Sequence, residues 1–180
     1  PTGNFGDIYA GYVAKKMGLP IHKLFIATNS NDILKRVINT GVYKPTIVKH
    51  TVSPSMDIQV ASNFERLIFD INSCNAKKTL SLMKDLNEKG EFKLDREQLK
   101  KINENFCSES LSEQETKSVI NKMYKNQGVL IDPHTAIAIG IIDKISSKEN
   151  IITLATAHPS KFSDVVNEET KVMPELPQNL

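Results

Sequence analysis

The sequence predicts an α/β fold in which a mostly parallel sheet is flanked by helices, with an additional helical segment. Helical and short apolar segments alternate over residues 7–41, and the same alternation returns after residue 127. The residues between these parts are rich in lysine and glutamate and carry helical spacing. A hydrophobic content of 39% with 24% charged residues is typical of a globular chain, so disorder is not expected.

The first part of the chain carries clear helix and strand signals. The run Leu24–Ala27 is short and entirely apolar, which favours a buried parallel strand. Gly18 with Pro20, and later Gly41, are expected to end helices. The predicted elements are, in order, a helix over residues 7–17, a strand over residues 23–28, a helix from residue 31 to residue 41, a loop over residues 42–59 and a helix over residues 63–71.

Residues 75–126 show no strand signal and predict three helices. The first spans residues 79–88. The second begins at Asp95, with Gln98 three residues later and an apolar face that includes Phe106. The third begins at Ser112, where Glu115 completes a capping box. We therefore expect a helical subregion at residues 75–126.

The α/β pattern then returns to the end of the chain. Asp132 followed by Pro133 is a strong helix start, residues 150–155 predict a strand, and Pro159 opens a last helix. The predicted division is residues 1–74, an α/β part with a phosphate loop; residues 75–126, the helical subregion; and residues 127–180, the return to the α/β core.

Composition excludes several classes of function. A net charge of +2 gives no basis for binding nucleic acid or a membrane surface. Two cysteines without ligand spacing argue against disulfides and zinc, and fit a cytoplasmic protein. No apolar run suggests a membrane span, and no signal peptide is recognisable.

Pro1 opens a turn that should follow a strand, so we expect the N-terminal half of a longer protein to be missing.

The turn Gly3-Asn4-Phe5-Gly6, running into a helix at Asp7, is the first candidate site. Such a turn presents backbone amides, and the helix N-terminus carries a partial positive charge, so an anion such as phosphate is favoured there. The glycines would allow close approach, often at positive φ. The alternative is an ordinary turn in which Asn4 or Asp7 caps the helix. The carboxylate of Asp7 would repel a phosphate unless it pointed aside.

Thr156 is the second candidate, because ligands of open α/β sheets bind beyond the carboxyl ends of strands. Its hydroxyl could equally bond its own backbone. His134 and His158 each stand at a helix start, where capping or polar-core roles are common. None of the four histidines has metal-ligand spacing, so no metal site is predicted.

Five blocks of this sequence, in order, resemble segments of threonine synthases. The stretch between residues 75 and 126 carries little of the resemblance. The blocks are Pro1–Pro20, Ala27–Asp32, Ser53–Ile58 with Ser62–Arg66, Asp132–Ala136 and Thr156–Phe162.

The resemblance implies the tryptophan-synthase-β-like fold, fold type II of pyridoxal-phosphate enzymes. It also implies a cytoplasmic enzyme that converts O-phospho-L-homoserine and water to L-threonine and phosphate. Gly3, Asn4, Phe5 and Gly6 would hold the phosphate of pyridoxal 5'-phosphate, with Asp7 at the edge. Thr156 would face the pyridine nitrogen, where an uncharged hydroxyl leaves the ring a milder electron sink.

In this family the lysine that forms the Schiff base lies before the phosphate loop, so no catalytic residue is assigned in the chain. Lys15 and Lys161 are predicted to lie on helices among polar neighbours, so neither is assigned as the lysine that forms the Schiff base. The 180 residues alone are therefore predicted to be inactive.

Three alternatives stay open at this point. One is a threonine synthase-like phospho-lyase that gives 2-oxobutyrate. Another is a dehydratase or cysteine synthase relative, which the blocks that begin at Ser53 and Thr156 argue against. The third is a non-catalytic α/β domain that binds an anion or a partner. The sequence indicates no oligomeric state.

Overall fold

The computed structural model describes residues 1–145 and 149–178, and eight α-helices and four short strands lie within these ranges. Three 3-10 turns are also present there, at Pro54–Met56, Ile142–Lys144 and Pro159–Phe162. The elements are α1 (Gly6–Lys16), β1 (Leu24–Thr28), α2 (Ile33–Thr40), β2 (Val42–Tyr43), α3 (Phe64–Ile71), α4 (Ala76–Lys89), β3 (Phe92–Lys93), α5 (Arg96–Asn105), β4 (Phe106–Ser110), α6 (Glu113–Gln127), α7 (Pro133–Gly140) and α8 (Ser163–Thr170).

Parallel pairing of β1 with β4 organises the α/β part. The register runs from Leu24 opposite Phe106 to Thr28 opposite Ser110. β1 is buried along almost its whole length, as expected of an apolar strand covered by helices on its faces. The prediction of a buried parallel strand over residues 23–28 is confirmed.

β4 corrects the expectation that residues 75–126 contain no strand. Phe106, which the sequence placed on a helical face, follows the last residue of α5 and begins the strand. After Phe106 the strand is polar, and the Ser108 hydroxyl donates to the carbonyl of Ile26 at 3.0 Å. Pairing with β1, rather than local propensity, makes this segment extended. The division of the chain at residues 74 and 126 stays a prediction.

β2 and β3 form a second, antiparallel pair, in which Tyr43 lies opposite Phe92. The two rings stack with centroids 4.7 Å apart and planes 4° from parallel. The Tyr43 hydroxyl accepts a hydrogen bond from the amide of Ala61 at 2.8 Å. Burial raises the pKa of the Tyr43 hydroxyl. Both rings are buried members of the main hydrophobic core.

The main hydrophobic core lies between β1 and the helices α1, α2, α3 and α5. Phe5 stands at its centre, edge-on to Phe64 at 5.2 Å and tilted against Phe106 at 5.7 Å between ring centroids. Edge-to-face and tilted arrangements at these separations are favourable for aromatic rings. The loop before α1 is thus anchored in the core by one side chain.

Helix boundaries follow the predicted caps closely. Asp95 with Gln98 and Ser112 with Glu115 both form complete capping boxes, in which each side chain bonds the backbone of the other residue. Hydrogen bonds from Ser112 and Lys144 lower the pKa of Glu115 to about 2. Gly41 ends α2 at φ 74°, a left-handed conformation that glycine adopts without strain. The predicted helix starts at these positions are confirmed.

Residues 150–155 do not form the predicted strand. Ile151, Ile152 and Leu154 are exposed, and Ile152 retains 88% of its surface. A strand exists only where another strand completes its hydrogen bonds, and none of the described residues pairs with this segment. Pro159 opens a 3-10 turn that leads directly into α8, so the last helix is present as expected.

Among the helices of the described ranges, none is long and apolar enough to cross a membrane.

Candidate functional site

A cavity of about 300 Å³ opens where five segments meet. These segments are the loop before α1, the 3-10 turn at Pro54–Met56, the start of α3 at Asn63, the start of α7 and the irregular chain around Thr156. The volume is at the lower end of the range of small-ligand sites. The cavity brings together five of the six residues that the sequence singled out: Gly3, Asn4, Gly6, Asp7 and Thr156.

Phe5, the sixth, does not line the cavity. Its side chain is fully buried in the core, and its backbone is left-handed, with φ 66° and ψ 7°. The expectation that Gly3 and Gly6 carry the positive φ of this loop is therefore wrong, because the bulky residue between them does. A left-handed bulky residue costs free energy and persists only where its surroundings enforce it. Aromatic packing around Phe5 supplies that enforcement.

Gly3 is needed for close packing against the neighbouring turn. A Cβ atom at this position would lie 2.8 Å from Cα of Met56 and 3.0 Å from the carbonyl oxygen of Ser55. Both neighbours are backbone atoms, which cannot swing away as a flexible side chain can. A Cβ on Gly6 would make only an ordinary contact, 3.5 Å from Nδ2 of Asn63.

Asn4 ties the loop to the segment that precedes α3. Its Oδ1 accepts hydrogen bonds from the amide and the hydroxyl of Ser62, both at 2.7 Å. Its backbone carbonyl accepts from the amide of Asn63 at 3.3 Å and from Nδ2 of the same residue at 3.2 Å. Because Oδ1 is committed to Ser62, Nδ2 is the donor that Asn4 offers to the cavity.

The N-terminus of α1 faces the cavity without a side-chain cap. Phe5 occupies the cap position, and no side chain accepts from the first amides of the helix. The interpretation in which Asn4 or Asp7 caps this helix is therefore wrong. The amides of Gly6, Asp7 and Ile8 begin the helix without intrahelical partners, and together with the helix dipole they favour an anion. Asp7 is exposed at the rim, where solvent screens its charge.

A buried polar network holds the turn against which Gly3 packs. Nδ2 of Asn29 donates to Oγ of Ser53 at 3.0 Å and to Oδ1 of Asp57 at 2.8 Å. The amide and the hydroxyl of Thr51 donate to the same carboxylate at 2.8 and 2.7 Å. The network fixes the chain on both sides of Ser55, which lines the cavity. The sequence predicts this segment as a loop that contains one of the blocks resembling threonine synthases.

Asp132 caps α7 as predicted and also orients the ring of His134. The carboxylate accepts from the amides of His134 and Thr135, and from the Thr135 hydroxyl. Burial acts most strongly and would raise the pKa of Asp132, but the hydrogen bonds from His134 and Thr135 outweigh it and the pKa is lowered. Nδ1 of His134 lies 2.9 Å from Oδ1 of Asp132. The ring lines the cavity and is only 4% exposed.

Thr156 lines the cavity from a segment without regular secondary structure rather than from the end of a strand. Its side chain is exposed. Lys15 does not line the cavity, since its Nζ donates to the carbonyl of His22 at 2.9 Å. Lys161 does not line it either. His158 is exposed and accepts from the amide of Ser160, so it acts as a local cap.

Known proteins match this chain along most of its length. The threonine synthase of Pseudomonas aeruginosa is 40% identical over 170 residues, which cover 93% of the chain and 36% of the relative. The threonine synthase of Saccharomyces cerevisiae is 41% identical with the same two coverages. A family description, threonine synthase, C-terminal, matches residues 135–180. The chain is similar to threonine synthases over 93% of its length.

Solved threonine synthases share the fold as well as the sequence. The structure of PLP-bound threonine synthase from Brucella melitensis superposes with a TM-score of 0.95 at 46% identity, covering 100% of the chain and 39% of that protein. The yeast threonine synthase structure gives 0.90 at 38% identity. The chain thus spans roughly two fifths of the length of these relatives. The resemblance seen in the five sequence blocks is confirmed.

The polar side chains of Ser55, Asn63 and His134 also line the cavity, and the sequence does not predict them as site residues. Each lies inside a block that resembles threonine synthases, so a signal is present in the sequence. The sequence assigns no role to Ser55 or Asn63 and favours a capping or polar-core role for His134. Proximity in space, which the sequence did not supply, is what joins them to the loop of residues 3–7.

Proposed function

We propose that the chain forms the cofactor-binding part of a threonine synthase, which converts O-phospho-L-homoserine and water to L-threonine and phosphate with pyridoxal 5'-phosphate. The observation that carries the proposal is the cavity, in which the uncapped N-terminus of α1 and Thr156 lie together. On this proposal the fold is the tryptophan-synthase-β-like fold type II, and the protein is cytoplasmic.

The residues of the cavity fit the phosphate of the cofactor. The loop of residues 3–7 offers backbone amides at the start of an eleven-residue helix, and Nδ2 of Asn4 adds a side-chain donor. Among the described residues that line the cavity, no lysine or arginine side chain competes for this role. Phe5 contributes its backbone only.

Thr156 is the proposed partner of the pyridine nitrogen. Its hydroxyl carries no charge and can donate or accept one hydrogen bond, so it does not enforce protonation of the nitrogen as a carboxylate would. When bound, pyridoxal phosphate withdraws electrons from the bonds at the carbon atoms of an amino-acid substrate. The residues of this chain hold and orient that group and shape the space beside it.

No lysine lines the cavity in the described part of the chain, so we propose that the amine that binds the cofactor covalently comes from outside these residues. The 180 residues by themselves are then inactive, although they retain the phosphate-binding loop.

The experiment is a product assay on the polypeptide encoded by the complete gene, supplied with pyridoxal phosphate and O-phospho-L-homoserine. We expect threonine and phosphate in equal amounts, and no turnover by residues 1–180 alone. Thr156→Ser should keep most of the activity and Thr156→Ala should lose it. Absence of any phosphate release would contradict the proposal and would favour a domain that binds an anion or a partner.

A second candidate is a threonine synthase-like phospho-lyase that releases 2-oxobutyrate. The observation in its favour is that a protein named threonine synthase-like 1 from Macaca fascicularis is 35% identical over 96% of the chain, although over only 24% of that relative. The same assay separates the two, because this activity gives phosphate with 2-oxobutyrate and no threonine.

A further inference from the structure

His134 is the buried histidine of the cavity. It stands in the first turn of α7 and retains 4% of its surface. The ring packs against Phe162, with centroids 4.6 Å apart, and its Nδ1 lies against the carboxylate of Asp132. Packing on one face and a hydrogen bond on one nitrogen leave the imidazole a single orientation.

The contact with Asp132 determines which nitrogen carries the proton. An ionised carboxylate can only accept, so Nδ1 must donate, and in the neutral ring Nε2 then holds an unshared electron pair. The lowered pKa of Asp132 keeps that carboxylate ionised. With the ring neutral, the pair presents a fixed hydrogen-bond acceptor at Nε2.

Nε2 is buried and has no hydrogen-bond partner among the residues that the structure describes. Leaving a buried acceptor unpaired costs free energy, and native proteins rarely accept that cost without a reason. The ring lines the same cavity as Gly3, Asn4 and Thr156. A bound molecule is thus placed to complete the missing bond.

We propose that His134 contacts the ligand in the cavity and that its Nε2 accepts a hydrogen bond from a hydroxyl or ammonium group of that ligand. The loop of residues 3–7 presents donors, which suit a phosphate, whereas Nε2 presents a buried acceptor, which suits a donor group. The two sides of the cavity therefore recognise different parts of one molecule. This inference rests on the proposed function, because it takes the cavity as the place where cofactor and amino acid bind.

Two substitutions test the roles of the two ring nitrogens of His134 separately. His134→Asn retains an amide nitrogen near the position of Nδ1, which can still donate to Asp132, but removes the acceptor at Nε2. His134→Gln retains an oxygen near the position of Nε2 but loses the bond to Asp132. His22→Asn, at an exposed histidine away from the cavity, is the matched control.

The measurements use the complete polypeptide with pyridoxal phosphate bound, and L-threonine as the probe. We expect His134→Asn to weaken L-threonine binding by about tenfold, as one lost hydrogen bond predicts, with a melting temperature close to that of the unaltered protein. His134→Gln should bind more tightly than His134→Asn, and His22→Asn should bind normally. In nitrogen NMR spectra of the unaltered protein, the Nε2 signal of His134 should shift when L-threonine is added.

Two results would overturn the inference. One is unaltered affinity for L-threonine in His134→Asn; the other is an Nε2 signal that does not move on addition of the probe. Either result alongside normal cofactor binding and turnover would remove the inference and leave the proposed function standing. Failure of the unaltered protein to bind pyridoxal phosphate would instead remove both. If His134→Asn does not fold, the NMR titration of the unaltered protein still decides.

Discussion

Replacing Gly3 with alanine tests the packing that shapes the loop before α1. The new Cβ would lie 2.8 Å from Cα of Met56, whereas ordinary contacts fall between 3.4 and 4 Å. Because the opposing atoms are backbone, the loop and the 3-10 turn must separate by several tenths of an ångström. Gly3 does not have positive φ, so the effect arises from this contact and not from backbone strain.

The magnitude follows from two opposing effects. Overpacking of this kind costs about 1–3 kcal/mol, and the lower chain entropy of alanine in the unfolded state returns about 0.4–1 kcal/mol. We expect a net loss of about 1–2 kcal/mol in the free energy of unfolding, measured by urea denaturation. Displacement of the loop amides should weaken pyridoxal phosphate binding by about tenfold or more, measured by fluorescence titration of the complete polypeptide.

Gly6→Ala is the matched control for stability. Its Cβ makes only an ordinary contact with Asn63, and alanine in a helix is favoured over glycine by about 0.5–1 kcal/mol. It should unfold at the same or a higher urea concentration than the unaltered protein. If Gly3→Ala proves as stable as Gly6→Ala and binds the cofactor normally, the close approach at Gly3 does not control the loop.

The remaining predictions concern the frame around the cavity. Ser112→Ala removes one arm of the capping box of α6 and should cost about 1 kcal/mol in urea denaturation. Asn29→Ala deprives the Asp57 carboxylate of a buried donor and should cost about 2–3 kcal/mol by the same measurement. Folding lowers the pKa of Asp132 from its unfolded-state value of about 3.8. The ionised carboxylate therefore contributes fully to the free energy of unfolding above that pH, and this contribution is lost as the pH falls below it. The stability difference between the unaltered protein and Asp132→Asn should therefore shrink as the pH falls below about 4.

Local signals made the helices predictable from the sequence. Asp95 and Ser112 carry their partners three residues later, and Gly41 and Gly90 supply the left-handed residue that ends a helix. Caps of this kind depend on a few neighbouring residues, so one sequence contains the necessary information.

Strands were less predictable, because their hydrogen bonds come from distant segments. Residues 106–110 carry no strand signal in the sequence, which places Phe106 on a helical face, yet they pair with β1. The sequence predicts a strand at residues 151–154, yet this segment has no pairing partner among the described residues. A distant partner makes the first segment a strand, and the second has none among the described residues.

The candidate site shows the same division between local and distant information. The anion-binding character of residues 3–7 could be predicted, since it depends on a turn followed by a helix. The left-handed conformation of Phe5 and the buried acceptor of His134 could not, because aromatic packing and a converging cavity wall create them. Both features depend on side chains that only the folded chain brings together.

The most direct test of the account is a crystal structure of the complete polypeptide with pyridoxal phosphate. We expect the cofactor phosphate to lie within hydrogen-bonding distance of the backbone amides of residues 3–7, and the pyridine nitrogen to lie against the hydroxyl of Thr156. A cofactor phosphate bound elsewhere, with the N-terminus of α1 facing only solvent, would contradict it.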